Sequence, residues 1–282
     1  MCDDRVEKKY SFVPEAPAPV LQPAAFPVAL PVAYASNKLV SAISLRLGLL
    51  CGGSFLLGYI VLPVIGVILA GNNETVNALL SLVCPFLSII ILFAGGWLLY
   101  GSWRKLFADL NFCQFPMMMF MVWGFPLALG ISLASGVITT LWQLAGEKMG
   151  LEFGIPPTVE IMQSQEHWQV AAMAVTALLA APLYEEILFR RVLFGLVYQY
   201  CGRWVAYAVT ALAFGLVHMS LLQLPGFLLI ASLWQFLYVR ERNLWVSIIL
   251  HFYNNLVAVS MLLIIRYKDF LIELLMRLNA NT

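Results

Sequence analysis

Apolar runs constrain this chain more than anything else in its sequence. Four of them, near residues 42–70, 76–100, 117–142 and 169–198, are each long enough to cross about 30 Å of hydrocarbon as a helix rising 1.5 Å per residue. Further runs follow at 204–218, 221–239 and 244–265. Hydropathy therefore predicts an all-α, polytopic transmembrane helix bundle of about seven to eight spans. Charge usage agrees: 11% of residues are charged and 62% hydrophobic, against about a quarter charged in soluble domains.

The fifth and sixth runs share only the residues from Trp204 to Val239. Allowing for a turn, each helix has roughly 24 Å to work with, short of a full crossing. The turn around Ser220–Gly226 is therefore expected inside the membrane, which would hold His218 at the depth of the neighbouring helices' midpoints.

Four segments follow from this pattern: a Pro/Ala-rich, extended N-terminal tail over 1–37, N-terminal transmembrane helices over 38–165, a second helical set over 166–266, and a short interfacial segment over 267–282. Prolines at 14, 17, 19, 23, 27 and 31 forbid a helix in the tail, and no basic n-region leads directly into an apolar core as a signal peptide would require. With the N-terminus cytoplasmic, nine Lys and Arg fall on the inner side and four on the outer, which favours that orientation for a protein of the cell's inner membrane. The formal charge of +1 argues neither for nor against nucleic acid, and with no basic block or aromatic-interleaved basic patch to support it, no nucleic-acid partner is expected. Five scattered cysteines without a CxxC pair indicate neither a disulfide framework nor a thiolate zinc site.

Against this apolar background, Tyr184-Glu185-Glu186-Ile187-Leu188-Phe189-Arg190-Arg191 is the costliest stretch to place. An ionised residue at a helix centre in lipid costs roughly 2.5–3.5 kcal/mol, so Glu185, Glu186 and Arg190 should face protein or trapped water. Glu186 and Arg190 are i,i+4 neighbours with the acid first, the favoured order for an ion pair. Glu185 is rotated by about 100° and stays free to act. Pro182 should free a backbone carbonyl and kink the helix. Arg191 reads as a charge facing solvent or headgroups, and Met117, Met118, Met119 and Met121 as membrane packing.

His218 and His251 lie in apolar runs, and His251 shares a helical face with Asn255 at i,i+4. These polar groups find partners at least cost if the helices bring them into one polar intramembrane cavity. A carboxylate shielded from solvent can take a proton from water, so Glu185 and His218 are the candidates for water activation, with His251 and Asn255 placed to stabilise an oxyanion. The spacing matches neither HExxH nor a Gly-x-Ser-Gly stretch.

Glu185-Glu186-xxx-Arg190, Phe214-xxx-His218 and His251-xxx-Asn255, in that order on separate apolar helices, resemble the three motifs of the CPBP family, the CAAX proteases and bacteriocin-processing enzymes also called Abi proteins. The resemblance covers roughly residues 168–265. It implies an intramembrane endopeptidase of the type II CAAX prenyl protease kind, acting on a membrane-anchored or prenylated peptide in the lipid bilayer. It also implies a site of Glu185, Glu186, His218, His251 and Asn255, supported by Arg190 and Phe214. The family is commonly labelled metalloprotease, which makes Glu185, His218 and His251 candidate ligands of a divalent metal such as zinc. Two other classes remain: a transporter using the same polar cavity, for which no internal repeat is present, and a non-catalytic immunity or scaffold protein.

Overall fold

A computed structural model describes residues 45–71, 73–113, 117–156, 159 and 166–280, and the structural statements below concern these. The expected tail over 1–37 lies outside them. With no water in the hydrocarbon, each backbone N–H and C=O must be satisfied within its own segment, and every regular element described is helical.

Helix α1 runs from Leu45–Phe55 through a π-helical turn at Leu56–Val61 into Leu62–Ala70. Helix α2 covers Glu74–Tyr100, the short α3 Trp103–Asp109 and α4 Met117–Lys148. Helix α5 extends from His167 to Cys201 and contains two π-helical turns, Thr176–Ala180 and Ile187–Leu193. Helices α6 (Arg203–Leu216), α7 (Leu224–Glu241), α8 (Leu244–Arg266) and α9 (Lys268–Ala280) complete the chain. Helices α1, α2, α4, α5 and α8 are long and apolar enough to cross a membrane, so this is a multi-pass membrane protein.

The short hairpin expected from length is present. α6 has 14 residues and α7 has 18, about 21 and 27 Å at 1.5 Å per residue. Between them the chain reverses at Met219, whose φ of 51° puts a non-glycine residue in the left-handed region immediately after His218. Gly226 lets α7 press onto α4, because a Cβ there would lie 2.5 Å from Ser135 Oγ and 2.6 Å from Thr139 Oγ1. α4 continues to Lys148, six residues past the expected end of its span, and the separate helix α3 was not anticipated.

Apolar side chains such as Ile68, Leu98, Val122 and Leu133 point outward, as do Met118 and Met121, while the buried set includes Glu186, Arg190, Arg191, Gln235 and His251. This inversion of the soluble pattern follows from lipid being as apolar as the core. One buried cluster joins Leu47, Leu92, Leu106, Tyr184 and Phe194 across α1, α2, α3 and α5. A second gathers Ala128, Phe189, Phe214, Trp234 and Leu250 where α4 to α8 meet.

The expectation for Arg191 is corrected. Its side chain is fully buried, with Nη2 3.1 Å from Asp109 Oδ1 and Nε donating to the Asp109 carbonyl. Tyr100 donates its hydroxyl to the same carboxylate. A carboxylate 82 residues away accounts for what no local pattern showed. Beyond it, Asn111 takes a φ of 59°, donates to Tyr238 and accepts from the Leu244 N–H, so one loop ties α5, α7 and α8 together at this end of the bundle.

Candidate active site

The two π-turns of α5 bracket the Glu185-Glu186 pair, a placement in keeping with the frequent use of π-bulges at functional sites. In the first turn the Ala181 N–H bonds the Thr176 carbonyl, five residues back. The same register would send the Ala177 carbonyl to the nitrogen of residue 182, which is a proline and has no N–H. Asn255 on α8 supplies the missing donor, its Nδ2 standing 2.7 Å from the Ala177 oxygen. A break in one helix is thus closed by a side chain of another. Asn255 spends one amide hydrogen on this contact and keeps a second.

Glu186 is fully buried between two helices. Its Oε2 stands 3.0 Å from Arg190 Nε, and its Oε1 lies 2.9 Å from His251 Nδ1. The Arg190 guanidinium in turn lies 4.5 Å over the Phe214 ring and 5.5 Å from that of Trp234, where the negative ring faces share its charge. Because the carboxylate only accepts, His251 donates from Nδ1, and its Nε2 faces the other acid. That nitrogen is 4.0 Å from Glu185 Oε2, too far for a direct hydrogen bond and within bridging range of one water. Trp234 stacks against the His251 ring at 4.6 Å and limits its rotation.

Glu185 itself has 15% of its side chain exposed, while its Oε2 is buried with no hydrogen-bond partner among the described residues. His218 comes to the site from the α6–α7 turn. Its Nδ1 is 2.7 Å from the Phe214 carbonyl, which can only accept, so a neutral ring carries its proton there and keeps a lone pair on Nε2. Phe214 and Phe227 flank the ring at 4.9 and 4.1 Å.

Glu185, His218, His251 and Asn255 line one cavity of about 460 Å³. Glu186, Arg190 and Phe214 stand behind its wall, where their contacts fix His251 and the α5 backbone. Two further residues, Asn254 and Gln223, line the same cavity. Asn254 is held by Ser132 Oγ of α4 at 2.8 Å. A second carboxamide beside Asn255 in an apolar helix was the available signal for Asn254, whereas Gln223 sits in a turn where a polar residue passes unremarked. Among the described residues no three His, Cys, Asp or Glu side chains converge closely enough to hold a metal ion.

Residues 167–257 match the family described as "Type II CAAX prenyl endopeptidase Rce1-like". The chain is also 29% identical over 138 residues to a Bacillus subtilis (strain 168) protein named "Putative membrane peptidase YdiL". That similarity covers 44% of this chain and 57% of the relative. No solved structure matches. The matched segment, about a third of the chain, holds Glu185, Glu186, His218, His251 and Asn255, and in that segment the chain is similar to this family.

Proposed function

We propose that the protein is an intramembrane endopeptidase that hydrolyses a peptide bond in a membrane-anchored or lipidated substrate. The observation that carries this reading is the sharing of one cavity by Glu185, His218 and His251, with Glu186 withdrawn into contacts to Arg190 and His251. A bulk-water site would not need such separation of roles. In a water-poor cavity the two adjacent acids can do different work: one ion-paired, the other available to bind and release a proton.

In this mechanism a water held between Glu185 and His218 attacks the substrate carbonyl carbon as Glu185 takes its proton. The carbonyl electrons move onto oxygen, and the remaining amide hydrogen of Asn255, with His251 when it carries both protons, stabilises the oxyanion. Each such donor contributes about 3 kcal/mol in other enzymes. Glu185 then returns the proton to the leaving nitrogen as the C–N bond breaks, giving one carboxylic acid and one amine, which exchange the remaining proton to become carboxylate and ammonium. Glu186 orients His251 and Arg190 balances its charge. No metal is assigned a step, since the candidate ligands do not converge as a three-donor set. The positive-inside count favours a cytoplasmic N-terminus in a cell membrane.

The test is cleavage of a library of membrane-anchored peptides, prenylated and unmodified, by protein purified in detergent, with Glu185→Ala beside the wild type. Loss of all cleavage in that variant at unchanged folded yield is expected. Equal cleavage by both proteins would end the reading.

A further inference from the structure

Tyr59 is a buried polar group that the mechanism above does not use. It lies in the π-turn Leu56–Val61 of α1, where the Leu62 N–H reaches back five residues to the Leu57 carbonyl. This turn is held at a fixed depth. Gly58 packs so closely on α2 that a Cβ would fall 1.5 Å from Ser88 Oγ and 2.8 Å from the Cys84 carbonyl oxygen. The Tyr59 ring is clamped between Phe55, at 5.0 Å, and Tyr184, at 5.5 Å, and Tyr184 immediately precedes Glu185.

The two tyrosines end differently. The Tyr184 hydroxyl is occupied, 2.7 Å from Ser54 Oγ and donating to the Cys51 carbonyl at 2.8 Å. The Tyr59 hydroxyl is buried and has no hydrogen-bond partner among the described residues, and Glu185 Oε2 shares that condition. The ring contact with Tyr184, the residue before Glu185, brings Tyr59 of α1 against the stretch of α5 that carries this carboxylate. A buried phenol without an acceptor and a buried carboxylate oxygen without a donor each cost free energy that one hydrogen bond, direct or through a single water, would recover.

We propose that Tyr59 is a positioning residue for Glu185: its hydroxyl donates to the carboxylate from the α1 side, opposite His251, and holds the acid in its working rotamer. The assignment rests on the proteolytic reading for its effect on turnover, but the contact itself does not. Helix α1 lies outside the matched segment 167–257, so the site would draw a residue from the part of the chain that the family match leaves unexplained.

The experiment uses the full chain in detergent with Tyr59→Phe, which keeps the ring stack, and Ser54→Ala as a control that removes the Ser54 contacts to Tyr184 and the Cys51 carbonyl and leaves the Tyr59 hydroxyl in place. Two readouts are taken. With a cleavable peptide, Tyr59→Phe should lose about tenfold or more in kcat, the scale of a hydrogen bond to a charged group, with KM within about twofold and an unchanged unfolding temperature. Independently of proteolysis, dicyclohexylcarbodiimide labels protonated carboxyls in apolar surroundings. Mass spectrometry should show Glu185 labelled at least about threefold faster in Tyr59→Phe, because the ionised form has lost a donor, and unchanged in Ser54→Ala. Unchanged labelling in Tyr59→Phe would overturn the proposal, as would a kcat loss accompanied by an equal fall in unfolding temperature. Faster labelling together with an active Glu185→Ala variant would keep the contact and remove the proteolytic reading instead.

Discussion

His251 Nδ1 stands 2.9 Å from Glu186 Oε1, a contact between residues 65 apart that fastens α8 to α5 beside the free carboxylate of Glu185. The two acids therefore differ in what they support. Glu185→Ala removes a side chain that opens into the cavity, and folded yield should stay near wild type while cleavage is lost. Glu186→Ala strands a fully buried Arg190 and releases His251. Breaking a buried pair this way costs about 3–5 kcal/mol, so the unfolding temperature should fall together with activity. Thermal unfolding and turnover of the two purified variants check this, and equal unfolding temperatures would remove the distinction.

Asp109 should matter for stability although it is far from the site in sequence. Asp109→Ala takes the carboxylate from a fully buried Arg191 and from the Tyr100 hydroxyl at once. The expected loss is about 3–5 kcal/mol, with Asp109→Asn milder because it keeps an acceptor. Denaturation of both variants in matched detergent measures it, and a change below about 0.5 kcal/mol in Asp109→Ala would contradict the packing described.

Gly58 is expected to tolerate nothing larger. The Ser88 hydroxyl and the Cys84 backbone oxygen occupy the space a Cβ would take, and backbone cannot swing aside as a long side chain can. Gly58→Ala should destabilise by about 1–3 kcal/mol, the usual range for overpacking, by pushing α1 off α2. Gly52, which has open space around its Cβ position, is the comparison: Gly52→Ala should leave the unfolding temperature unchanged or higher.

The Asn255 contact with Ala177 can be isolated by a double-mutant cycle. Asn255→Ala leaves the half-buried Ala177 carbonyl without this donor, at a cost of about 1–3 kcal/mol. Pro182→Ala restores a backbone N–H at residue 182, which can serve that carbonyl itself. In the Pro182→Ala background the Asn255→Ala penalty should therefore shrink by at least about 1 kcal/mol. Additive penalties would mean that the proline is not the source of the unmet carbonyl.

Much of this was legible in the sequence for identifiable reasons. Ionised residues in an apolar run have no inexpensive position except against one another, which singled out Glu185, Glu186 and Arg190, and the i,i+4 rule paired the right two. The length of 204–239 anticipated the short hairpin that carries His218. What sequence could not reveal depends on contacts between distant segments. Arg191 differs from Arg190 by one position, and only the fold shows that it meets Asp109. The pairing of Glu186 with His251 is of the same kind. The π-turns were illegible for another reason: apolar residues fill a span at any phase, so a shift from i+4 to i+5 bonding leaves no mark on hydropathy.

That shift changes how length itself should be read when this chain is aligned with similar sequences. A π-turn stores one extra residue inside a helix without making a loop, and α5 stores such residues on both sides of its acidic pair. A relative with a plain α-helical turn at either place would carry the same carboxylates in the same orientation with one residue fewer. Aligned against this chain, it would show a single-residue gap in the middle of a membrane-spanning helix, and that gap would record a real difference in backbone winding.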